Sequence, residues 1–134
     1  MSMLMKAAAG TGIEWEMVAA IGLRESAFRN GDEVGGGGGR GIFQIDSGQH
    51  SEVSDKDAYD PVWAAHWVAT LLEANMTNLS YAHPNLNSTQ LLQATAASYN
   101  FGTTNISGDP DKIDVGTKRD NYGSNILNLM DCFL

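Results

Sequence analysis

Ile13, Trp15, Met17, Val18, Ala20, Ile21 and Leu23 leave almost no polar side to the segment they occupy. A helix that is apolar all round belongs in the interior of a fold rather than on its surface. Thr11 and Glu14 stand ahead of it at capping-box spacing, which predicts Thr11 as the N-cap. A short helix over 2–9 precedes them. Farther on, Trp63, Trp67, Val68, Leu71 and Leu72 recur on one helical face. With Asp60 as cap and Pro61 in the first turn, they predict a helix over 61–79. Leu91, Leu92, Ala94, Ala96 and Ala97 predict another buried helix. Asn87 or Ser88 opens it with Gln90 in the first turn, and it closes at Tyr99-Asn100-Phe101-Gly102, where Gly102 suits a left-handed helix end. Thr117 to Asp120 repeats the capping arrangement, and Tyr122, Ile126, Leu129, Met130 and Phe133 then form the stripe of a last helix.

The stretches between these helices have a different grammar. Residues 30–41 hold seven glycines and no periodicity. GGGGGRG lacks the Lys-Ser/Thr pair of a phosphate loop and follows no strand, so the glycines read as allowing unusual dihedrals and close backbone approach to a bound chain. Residues 42–46 predict a short strand in a small sheet lining one wall. Residues 47–60 carry Glu52, Asp55, Asp57 and Asp60, but without EF-hand spacing or its closing Glu they read as a solvated loop. No repeat and no linker appears. The expectation is one domain over 1–134, mainly α, with buried central helices wrapped by others and a small β-sheet wall.

A net charge of −8 on 134 residues excludes nucleic acid as a partner, because no basic cluster is present to neutralise phosphates. It also weakens any general adhesion to anionic cell wall. Three His and one Cys show no metal-ligand spacing, so neither metal nor cofactor is expected. Cys132 reads as a buried structural thiol. MSMLMKAAAG is too short and too weakly apolar for a signal peptide or a membrane span, so membrane insertion is not expected.

One acidic residue, Glu25, stands where the first apolar helix stops. Partial burial and the negative end of the helix dipole both disfavour a charged carboxylate, which suits a general acid. The plainer reading pairs Glu25 with Arg24 and Arg29 on a surface. The residues after Glu25 decide between the two. The run LRESAFRN…GRGIFQIDSGQH resembles the goose-type lysozymes and the soluble lytic transglycosylases. The shared pattern is a helix-terminal Glu-Ser, a glycine-rich loop, Gly-apolar-apolar-Gln-apolar-Asp, and a His four residues later, here His50. Tyr99-Asn100-Phe101-Gly102 resembles that group's sugar-binding turn, and Asp114 to Tyr122 resembles the start of its last helix.

This resemblance implies a lysozyme-like fold that cleaves the β-1,4 bond between N-acetylmuramic acid and N-acetylglucosamine. Glu25 would protonate the leaving oxygen. Inverting hydrolysis also needs a carboxylate about 6.5–9.5 Å away to steer water, and Asp46 is the candidate. Many relatives carry another Asp eleven residues before that one; here the position is Gly35, which leaves Asp32 and Glu33 as substitutes. Gln44, Tyr99, Asn100 and Tyr122 match positions along the sugar groove, and His50 orders its wall. Core packing is the competing role for Tyr99 and Tyr122. A lytic transglycosylase, a chitin-directed hydrolase and an inactive sugar-binding module are the alternatives to a muramidase. With no visible signal peptide, the expected settings are a phage lysin or an antibacterial toxin of a machine such as type VI, acting at a bacterial wall. The toxin setting calls for an inhibitor or immunity protein that plugs the cleft.

Overall fold

The computed structural model describes residues 2–133. Among these the chain is mainly helical, as expected of a lysozyme-like fold. It divides into two compact units, Met1–Thr70 and Leu71–Leu134.

The first unit holds α1 (Met3–Ala8), α2 (Trp15–Ser26), α3 (Asp55–Ala58) and the opening turns of α4 (Pro61–Ala82). In α2, Met17 to Gly22 are buried without a break, as the all-round apolar pattern requires. Its start differs from the expected capping box. The cap is Glu14, with no side-chain bond, while the Thr11 hydroxyl donates to Ala8 O at 2.6 Å and accepts from Ile13 N–H at 3.2 Å. Thr11 therefore serves the turn between α1 and α2, where Gly12 at φ 72° swings the chain before the helix begins. The start of α4 is as expected: Asp60 Oδ1 accepts from the amides of Val62 and Trp63 at 3.0 and 3.2 Å. Its buried stripe in this unit is offset from the Trp pair, however. Ala64, Ala65, Val68 and Ala69 are buried, while Trp63 is 36% exposed.

The expected strand over 42–46 and its sheet wall are not formed. Among the described residues there is no strand, only an isolated antiparallel bridge between Asp32 and Arg40. Residues 41–44 make a turn closed by Gln44 N–H on Gly41 O at 3.2 Å, and Gln44 takes a left-handed φ of 51° that no strand can hold. The apolar alternation is still used, since Phe43 and Ile45 each bury to 1% exposure.

The second unit holds the rest of α4, α5 (Ser88–Phe101), α6 (Tyr122–Met130) and short 3-10 turns at Thr103–Asn105, Lys118–Asp120 and Asp131–Phe133. Asn87 and Gln90 form the reciprocal capping box at the start of α5. Leu79, Ala94, Ala97, Ile106 and Ile113 make a core cluster, with Leu86, Leu91 and Phe101 packed on it. Cys132, expected to be buried, is exposed in the terminal 3-10 turn.

Candidate active site

Glu25 lies half-buried in the last turn of α2. The helix stops just beyond because Ala27 and Phe28 both turn left-handed, at φ 53° and 63°. Each such residue costs on the order of 1 kcal/mol without glycine, so the turn must be held by its contacts. Phe28 N–H bonds back to Gly22 O at 3.3 Å, and Ser26, beside Glu25, donates its hydroxyl to Ile42 O at 2.6 Å. Gly22 makes this junction fit. A methyl there would meet Ile42, Phe28 and Phe43 at 3.1 to 3.2 Å, so a mid-helix glycine is tolerated for the sake of close approach.

The glycine-rich loop closes on itself. Glu33 N–H bonds Gly39 O at 2.9 Å, and its carboxylate accepts from Gly39 N–H at 3.2 Å. Gln44 spends its amide on Gly41 O at 2.8 Å and Gly31 O at 3.3 Å, and its Oε1 lies 2.5 Å from where a side chain on Gly39 would begin. Close approach was expected toward a bound chain; at Gly39 it is used against the protein's own Gln44. Asp32 accepts from the Tyr59 hydroxyl, and Asn30 reaches Tyr59 O at 2.7 Å, so the foot of the loop is clasped by the end of α3. Asp46 is half-buried, and its Oδ1 accepts from the amides of Gly48 and Gln49 at 2.7 and 3.0 Å.

The residue that sequence reasoning missed is Arg40. It is 7% exposed, and its guanidinium donates to Ile45 O at 3.0 Å, His50 O at 3.2 Å, Val53 O at 2.8 Å and Asp55 Oδ1 at 3.0 Å. The one available signal was a lone cation between glycines at the head of an apolar run. The His50 ring meets Trp67 edge-on at 4.9 Å, and its Nδ1 lies 3.2 Å from Glu52 Oε1. The Glu52 carboxyl is held below its ordinary pKa, chiefly by a backbone hydrogen bond at Glu52 itself, with His50 adding to the effect.

The other candidates belong to the second unit. Tyr99 is half-buried in the last turn of α5, and the exposed Asn100 accepts from Lys118 N–H at 2.9 Å. Tyr122, expected along a sugar groove, is fully buried. Asp114 is 8% exposed and gathers Gly123 N–H at 2.6 Å, Ser124 N–H at 2.9 Å and Gln93 Nε2 at 2.9 Å.

Residues 2–115 match the family model of the transglycosylase SLT domain. The chain belongs to the SLT family. Among curated proteins, nothing matches it. Membership places this SLT domain in the lysozyme-like superfamily of peptidoglycan-cleaving enzymes, whose place of action is the cell wall. No described helix is long and apolar enough to cross a membrane.

The Tyr59 clasp gives the SLT domain a measurable alkaline signature. The hydrogen bond to Asp32 is the first cause that raises the phenol above its ordinary value of 10.0, followed by desolvation and the charges of Asp32 and Asp55. A raised pKa means that this group's contribution to stability is complete below about 10 and disappears as pH rises through the folded value. In phenolate absorbance, the difference between wild type and Tyr59→Phe titrates above 10, and Asp32→Asn returns it toward the free value. A difference curve centred at or below 10 in wild type contradicts the clasp.

Proposed function

We propose that residues 1–134 act as one catalytic domain that cleaves the muramic acid–glucosamine bond of peptidoglycan with Glu25 as general acid. The step is completed by the sugar's own C6 hydroxyl. Glu25 protonates the leaving oxygen as its bond to C1 breaks, and O6 then bonds C1 and returns its proton to the Glu25 carboxylate. The product is a 1,6-anhydro sugar. The observation that carries this choice is the state of the carboxylates that would otherwise steer water. Asp32 accepts from Tyr59, Glu33 from Gly39 and Asp46 from Gly48 and Gln49, so each already serves the loop that bears it. Gln44, His50, Tyr99 and Asn100 are the proposed groove residues. Gln44 and His50 act through the wall they order.

Hydrolysis by a muramidase is the second reading. Asp46 Oδ2 favours it, because the amide bonds to Gly48 and Gln49 fall on Oδ1. Mass analysis of the released muropeptides separates the two, since anhydro products are lighter by one water and have no reducing end. Predominantly reducing-end products from wild type overturn the anhydro step, and cleavage of chitin in preference to peptidoglycan overturns the substrate. As to setting, the charge of −8 fits delivery into a confined wall compartment, as by a phage or by a type VI machine, better than free secretion. An immunity protein for such a toxin would present a basic face to the cleft.

A further inference from the structure

We infer that Arg40 is a positioning residue for this reaction and acts through Asp46. The inference rests on the proposed activity and on its closure by the sugar's own O6. The guanidinium brackets the 45–50 turn. Its Nε holds Ile45 O at 3.0 Å and its Nη2 holds His50 O at 3.2 Å, one on each side of Asp46. Within that bracket, Ile45 N–H returns a bond to Arg40 O at 3.0 Å, and His50 N–H bonds Asp46 O at 2.9 Å. Asp46 Oδ1 then finds the Gly48 and Gln49 amides already in place.

Arg40 is suited to this by geometry and not by charge alone. Its planar fork reaches carbonyls at 45, 50 and 53 together, whereas the single ammonium of lysine cannot span three acceptors set that far apart. The ion pair to Asp55 is the minor part, because the Asp55 side chain is 82% exposed and screened by solvent. While the bracket holds, Asp46 stays committed to the turn. Once it loosens, Asp46 is free to accept a proton from water as the water oxygen bonds C1, and the reaction ends in hydrolysis.

The test is a cycle of Arg40→Lys, Asp46→Asn and the double variant, assayed on peptidoglycan below each protein's melting range. Arg40→Lys is expected to raise the share of reducing-end product about 10-fold or more, the scale of a misplacement near 1 Å, with far smaller changes in kcat and KM because Glu25 still breaks the bond. In the Asp46→Asn background this change of product should vanish, because the residue that transmits it has lost its carboxylate. Equal product shifts in the two backgrounds, or a folded Arg40→Lys enzyme with an unchanged product ratio, overturn the inference. Amide hydrogen exchange supplies an arm independent of activity. Arg40→Lys should speed exchange at Gly48, Gln49 and His50 while α2 stays protected, and Asp55→Asn should do so weakly. Uniform or unchanged exchange refutes the bracket. If wild type cleaves no peptidoglycan or releases mainly reducing ends, the proposed function falls, and exchange alone decides whether Arg40 holds the turn.

Discussion

Glu25→Gln yields a folded protein that cleaves peptidoglycan at least about 10²-fold more slowly, and as much as 10⁴-fold, the usual worth of general acid catalysis. Glutamine keeps the shape of the side chain and its power to donate a hydrogen bond, so the junction between the α2 end and the 41–46 turn should survive. Much of that junction is made elsewhere, by the Ser26 hydroxyl on Ile42 O and by Gly22 beneath Ile42 and Phe43. What glutamine cannot do is surrender a proton to the leaving oxygen. Melting temperature and binding to insoluble peptidoglycan should stay near wild type while turnover collapses. Turnover near wild type in a folded Glu25→Gln enzyme would end the assignment of Glu25 as the acid.

Asp114→Ala has the largest effect expected on stability. A buried carboxylate there meets two backbone amides at the start of α6, where helix amides otherwise have no partner, and also the side chain of Gln93. Gly123 is part of the fit, since a methyl there would come within 2.4 Å of Gln93 O and 2.8 Å of Asp114 Oδ1. Hydrogen bonds to a charged group are worth about 1.5–3 kcal/mol each, and truncation leaves the Gly123 amide buried and unsatisfied. The loss should reach about 3–5 kcal/mol, a large share of the roughly 5–15 kcal/mol that holds a domain of this kind. Denaturant melts should show a lower midpoint with an unchanged slope. A shift under about 1 kcal/mol would mean that α6 is capped by something else.

The helices were legible wherever local chemistry agreed with periodicity. Asp60-Pro61 and Asn87 with Gln90 mark real helix starts because a side chain of the right length stands at the right spacing from a free amide. Thr11 and Glu14 have the same spacing but miss, since Gly12 turns the chain between them and the Thr11 hydroxyl donates to Ala8 O and accepts from the nearer Ile13 amide. The alternation of Phe43 and Ile45 read as a strand because burying every second residue is also what a turn pinned to a helix end can do. In the candidate site, the place of Glu25 at the end of a buried helix was legible. The employment of Asp32, Glu33 and Asp46 was not, because their partners are a distant phenol and loop amides that leave no trace in residue type. Arg40 was hidden for the same reason: three of its four partners are main-chain carbonyls.

The exposed thiol of Cys132 sets a valence for this chain. With one cysteine in the sequence, each molecule has a single point of oxidative coupling. Coupling between copies of the chain can therefore join two and must stop there, and a thiol-reactive probe attaches with a stoichiometry of one, in the turn that succeeds α6.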